Sequence, residues 1–113
     1  MEKEPLLKGQ IDLLVLSIVA RGPIHGYAII EQLRERSRGL FDLPEGTVYP
    51  ALYRLERLRL LLSEEMKVGG RTRRTYRLSA EGAAALRERR SSWKQFVRGV
   101  ESVIRGSRVV DQA

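Results

Sequence analysis

Ile11, Leu14, Val15, Ile18 and Val19 repeat at the i, i+3, i+4, i+7, i+8 spacing of one helix face. Leu13 and Leu16 fall off that stripe, so the predicted helix, residues 8–20, is apolar nearly all round. Such a helix is either central to a core or packed against a second copy of the chain. Arg21-Gly22-Pro23 ends it in a turn. A second helix is predicted from His25-Gly26-Tyr27 to about Ser37, with Tyr27, Ile30 and Leu33 inward and Glu31, Arg34, Glu35 and Arg36 in water. A third is predicted over residues 47–60, with Thr47 as N-cap and Pro50 in the first turn, where its missing N–H has no intrahelical partner to lose. Val48, Ala51, Leu52, Leu55 and Leu58 form its core stripe. The opposite face carries Tyr49, Tyr53 and Arg57, with Pro50 and Arg54 alongside.

The period then changes. Residues 61–68 and 71–78 read as two strands joined at Gly69-Gly70, a strong hairpin signal, with Tyr76 and Leu78 on the inward face. Ser79 caps a last helix and Glu81 sits in its first turn, where the helix dipole favours an anion. If it runs to Arg105 its ~26 residues span ~39 Å, more than this domain's core requires. Leu86, Trp93, Phe96, Val97, Val100, Val103 and Ile104 fall on one stripe. Burying the six from Trp93 onward is worth up to ~9–18 kcal/mol gross per chain, and a domain this small cannot cover them all.

These elements predict a mainly α fold with a small β-hairpin: a winged helix-turn-helix plus a long C-terminal dimerisation helix. The expected division is a winged domain at residues 1–78, a dimerisation helix at 79–105 and a disordered tail at 106–113. A chain of 113 residues fits one domain and leaves little room for a deep catalytic cleft. The longest apolar run, residues 11–20, is broken by Asp12 and Ser17 and falls short of the ~20 residues a membrane span needs. The opening Met1-Glu2-Lys3-Glu4-Pro5 lacks the apolar centre of a signal peptide. A soluble, cytoplasmic protein with no membrane partner is expected.

Charge and chemistry narrow the function. The formal charge is +7, which favours a polyanionic partner. Between Lys67 and Arg77 lie five basic residues (Lys67, Arg71, Arg73, Arg74, Arg77) and no acid, with Glu64 and Glu65 on the partner strand able to balance part of that charge. With no cysteine and one histidine, His25, thiolate chemistry and clustered-histidine metal sites are excluded. Nothing resembles a nucleophile–base pair or a phosphate-cradling glycine loop, so neither enzyme activity nor a cofactor is expected. His25 reads as a turn residue serving local backbone groups.

A recognition helix meets base edges with its N-terminal residues, and a hairpin beyond it meets phosphates. That assigns Thr47, Tyr49, Pro50, Tyr53 and Arg54 to bases and Lys67, Arg71, Arg73 and Arg74 to the backbone of double-stranded DNA. The bland alternatives are half-buried packing for the tyrosines and a solvated strand face for the arginines. A double-stranded RNA binder could use the same hairpin but gains little from a major-groove helix. A protein-interaction winged helix has no need of an all-basic wing.

Three stretches make the resemblance specific. His25-Gly26-Tyr27, then residues 46–56 from Gly46-Thr47-Val48-Tyr49-Pro50 to Leu55-Glu56, then Gly70-Arg71 through Tyr76-Arg77-Leu78-Ser79 with Gly82, resemble the signature stretches of PadR-type regulators. The resemblance spans about residues 6–104. Arg59-Leu60-Leu61-Leu62 departs from the pattern, since many relatives carry a glycine near there. The uncovered stripe of the last helix, helped by the first, predicts a homodimer on an inverted-repeat operator, with Ile11, Leu14, Val97, Val100 and Ile104 at the dimer interface; the resemblance implies that it represses. The resemblance also implies a small aromatic or hydrophobic effector between the subunits, near Trp93 and Phe96. In one multidrug-binding branch of the family, paired tryptophans of the last helix stack on a planar ligand.

Overall fold

A computed structural model describes residues 9–108. Its elements run α1 (Ile11–Val19), β1 (Ile24–His25), α2 (Gly26–Arg36), α3 (Glu45–Arg57), β2 (Leu61–Val68), β3 (Arg71–Leu78) and α4 (Ala80–Ile104). Among the described residues there are therefore four helices and a three-stranded antiparallel sheet of order β1-β3-β2. The expected tail falls partly outside the described residues; residues 106–108 of it are exposed.

The core gathers between α1, α2 and α3. Val15, Leu16 and Val19 of α1, Ile29 and Leu33 of α2, and Val48, Leu52 and Leu55 of α3 are buried there, closed by Leu61, Tyr76 and Leu86. Leu16, off the expected stripe, is fully buried, because α1 has neighbours on more than one side. In α2 the inward position expected for Tyr27 belongs to Gly26, and the frame 26, 29, 30, 33 leaves Tyr27 exposed. His25 caps α2, its Nδ1 accepting the Ala28 N–H at 3.3 Å.

The N-cap of α3 stands three residues before the expected position. Pro44 stands at the N-cap and Thr47 lies within the first turn, so Thr47 is not the cap. Phe41 and Leu43 pack on the core immediately upstream, which brings the chain into register early, and Glu45 is then favoured at the positive end of the dipole. Pro50 sits deeper than expected, within the helix. The carbonyl deprived of its N–H is that of Gly46, on an exposed residue where water can replace it.

The same helix ends early, at Arg57, leaving Leu58 exposed instead of in the core. Arg59 takes the left-handed conformation (φ 61°), with Leu60 N–H on the Leu55 carbonyl at 3.0 Å and Arg59 N–H on the Glu56 carbonyl at 2.9 Å. This is a Schellman closure, in which glycine is the usual residue at the position Arg59 holds.

The hairpin follows the predicted register from Leu61↔Leu78 to Val68↔Arg71. Gly69 and Gly70 (φ 58° and 79°) supply the two positive-φ positions of a tight turn whose twist matches the strands. Ser79 caps α4 as predicted, accepting the Gly82 N–H at 2.9 Å and donating to the Arg59 carbonyl at 2.7 Å. Gly82 is required by contact: a Cβ there would lie 2.0 Å from the Leu60 carbonyl oxygen. No helix among the described residues is long and apolar enough to cross a membrane.

Candidate nucleic-acid interface

Helix α3 presents Tyr53 and Tyr49 outward, with exposures of 65% and 38%. Their roles differ. Tyr53 stands free, and the Arg57 guanidinium lies 5.8 Å from its ring centroid. Tyr49 leans on α2: a Cβ on Gly26 would come within 2.8 Å of its ring. The glycine between His25 and Tyr27 is therefore the floor on which Tyr49 rests, and part of Tyr49 is packing. Burial, with the Glu45 carboxylate second, pushes the Tyr49 phenol above its ordinary range, so it stays a neutral hydroxyl at physiological pH. Burial does the same to Tyr76 beneath it, reinforced by Glu56.

A cleft of about 630 Å³ runs between α3 and the hairpin, lined by Tyr49, Tyr53, Glu56, Arg57, Arg74 and Tyr76. Its wall is a relay of polar contacts. Arg74 donates to Glu65 at 3.0 Å and to Ser63 Oγ at 2.9 Å, and Ser63 donates to Glu56 at 2.6 Å. The wing is thereby tied to the middle of α3.

Cross-strand partners share a face, so the register sorts the basic residues. Arg71, Arg73 and Arg77 stand on one face opposite Val68, Met66 and Leu62, whereas Lys67 and Arg74 share the other with Thr72 and Glu65. Arg71 and Arg73 are exposed, and neither makes an ion pair with a described carboxylate. Arg74 does. The expected phosphate set is thus split between two faces of one hairpin.

Arg54 is drawn elsewhere. It bonds Asp12 of α1, and Asp12 also lies 3.7 Å from Arg89 of α4. Thr47 is half-buried in the first turn of α3 and Pro50 is exposed beside Tyr49. The structure therefore brings Tyr49, Pro50 and Tyr53 together near the wing and ties Arg54 to the helix framework. Arg57 and His25 lie in this region though neither was singled out as a contact. Spacing places Arg57 on this face, one turn beyond Tyr53, without marking it as a contact. His25, whose Nε2 lies 3.0 Å from Arg73, needed the fold.

Residues 15–88 match the profile of the Transcriptional regulator PadR-like family. The chain belongs to that family. It is 38% identical over 93 residues to the transcriptional regulator Rv3488 of Mycobacterium tuberculosis, covering 82% of this chain and 84% of that one. The crystal structure of a PadR family transcriptional regulator from Eggerthella lenta superposes with a TM-score of 0.80 at 33% identity, covering 91% of this chain and 88% of the other. Another, from Clostridium difficile R20291, gives 0.72 at 36% identity over 85% and 98% of the two chains. This PadR-like chain is a transcriptional regulator with a winged-helix fold, and not an enzyme. Gly26 and Gly82 lie in two of the family-like stretches: Gly26 gives the Tyr49 ring its seat against α2, and Gly82 lets α4 pass against the Leu60 carbonyl in the turn after α3.

The far half of α4 carries the remaining candidates. Trp93 and Phe96 are 40% and 61% exposed, their ring centroids 5.8 Å apart at a tilt of 30°. Val100 and Ile104 are also exposed and Val97 is half-buried. Ile11, by contrast, is already buried in its own chain, and Leu14 is half-buried.

Proposed function

We propose that this PadR-like regulator binds an inverted-repeat operator in double-stranded DNA as a homodimer and acts as a cytoplasmic repressor. The observation that carries the reading is the exposed tyrosine face of α3 beside a wing whose Arg71 and Arg73 have no acidic partner among the described residues. Tyr49, Pro50 and Tyr53 face the bases, with Thr47 near the phosphate-proximal turn; Lys67, Arg71 and Arg73 hold phosphates, and Arg74 buttresses the wing against α3. Arg54 reaches DNA only on leaving Asp12.

The dimer joins through Trp93, Phe96, Val97, Val100 and Ile104, with Leu14 at the margin and Ile11 supporting from within the core. Two-fold symmetry then sets the recognition helices about 34 Å apart for successive major-groove turns. Selecting bound fragments from source genomic DNA gives the operator. Replacing Arg71 and Arg73 by alanine should weaken binding to all sequences and lower the salt slope by about one unit per lost contact. An unchanged slope removes the wing from the mechanism, and equal binding to a matched RNA duplex removes major-groove reading.

Release by a planar aromatic or hydrophobic effector follows from Trp93 meeting its own copy across the two-fold axis, a flat apolar slot suited to stacking. Trp93 is the only tryptophan, so its fluorescence reports binding directly. A panel of planar aromatics that leaves the emission unchanged while operator binding persists eliminates the effector.

A further inference from the structure

We propose that the cleft between the start of α2 and the edge of β3 seats a single phosphodiester of bound DNA, gripped jointly by His25 and Arg73. The proposal rests on the DNA-binding reading above and adds a site to it. The cleft encloses about 500 Å³, and His25, Tyr49, Arg71, Arg73 and Arg74 are among its lining.

The decisive feature is a conflict between donors. His25 Nδ1 accepts the Ala28 N–H, and a neutral imidazole has only one nitrogen free to accept. While Nδ1 accepts that N–H, a neutral ring carries its proton on Nε2. That nitrogen lies 3.0 Å from Arg73 Nη1, and guanidinium nitrogens only donate. Two N–H groups converge with no acceptor between them. The other tautomer relieves Arg73 but points Nδ1–H at the Ala28 amide, which moves the conflict without removing it. An oxygen entering between Nε2 and Arg73 resolves it, with both groups donating to that one atom.

The surroundings select an anionic oxygen. Among the described residues no carboxylate lines the cleft, Arg71 shares the face of β3 that carries Arg73, and Glu65 engages Arg74 instead. Tyr49, on α3, forms another part of the wall. A DNA strand following the recognition helix passes this opening, and its phosphate presents an unesterified, charged oxygen of the required kind.

The test is a coupling measurement on a selected operator duplex in which single phosphates are replaced, one at a time, by uncharged methylphosphonates. His25→Asn keeps an oxygen that can cap Ala28 N–H but is too short to meet Arg73. At one position per half-site, the replacement should weaken wild-type binding about tenfold and the H25N variant by less than about twofold. Elsewhere the two proteins should lose equally. Equal losses at every position overturn the proposal. Should H25N not fold, the His25 ring nitrogen resonances of the wild type are followed with each duplex: a shift lost with the methylphosphonate at one position per half-site is expected, and the same shift with every duplex overturns the proposal. Inorganic phosphate is the second arm: if it shifts the His25 ring nitrogen resonances while the cycle shows no coupling, the cleft holds a small free anion and the diester seat is wrong. Wild-type protein that binds no duplex at all defeats the DNA reading itself, a result distinct from uncoupled binding.

Discussion

The two halves of α4 lie on one continuous helix yet meet opposite surroundings. Residues 80–89 offer Gly82, pressed on the Leu60 carbonyl, half-buried Ala83 and Ala85, and Leu86 in the core. Residues 90–104 offer Trp93, Phe96, Val97, Val100, Val103 and Ile104, most of them exposed. The apolar side chains of the second half are larger, and most of them stay exposed among the described residues. Helical period tells which side of a helix is apolar. Whether that side is covered by its own chain depends on how closely the backbones approach, and small residues set that distance.

The sharpest way to break the contrast is Val97→Glu with Val100→Glu. Two carboxylates in a dry interface should raise the dimer dissociation constant by more than ~10³-fold, read by sedimentation, while the winged domain keeps its fold. A variant that stays dimeric places the interface elsewhere. Gly82→Ala attacks the other half. Its Cβ would meet the Leu60 oxygen, so despite alanine's better helix propensity the net loss should be about 2–3 kcal/mol in denaturant unfolding. Little change would mean the crossing is loose.

Smaller effects test how the near half is tied down. Asp12→Asn weakens the bonds to Arg54 and Arg89 and should cost about 1 kcal/mol. Combined with Arg54→Gln it should cost less than the sum of the two, since both remove the same pair. Arg59→Gly should stabilise by about 0.5 kcal/mol, because relief of the left-handed backbone exceeds the added freedom of glycine in the unfolded chain. A loss of stability would show that the Arg59 side chain holds something its backbone strain conceals.

Local signals carried well from sequence to structure where one residue type dictates the geometry. Gly69-Gly70 set both strands of the hairpin, and Ser79 set the start of α4. They failed where the outcome was decided from a distance. Strand β1 is two residues long and has no pattern of its own; it is a strand only because Ile24 and His25 pair with Tyr76 and Thr75. Thr47 is the better cap by composition, yet Phe41 and Leu43 fixed the chain earlier. In the interface, exposure of Tyr53 could be read from period alone. The diversion of Arg54 could not, because its partner Asp12 lies 42 residues away in the sequence, on another helix.

The length of α4 has a mechanical consequence. Its 25 residues make a rod of ~37 Å at 1.5 Å per residue, anchored to the winged domain at one end only. In the proposed dimer the other end is clamped to its twin, so each DNA-reading head rides on a lever arm. A tilt of ~10° at the clamp displaces a head by ~6 Å along such an arm, comparable to the ~5.4 Å pitch of the helix itself. In that proposed dimer, the tolerance for altered half-site spacing would be set by how far a single helix can tilt and bend between clamp and head.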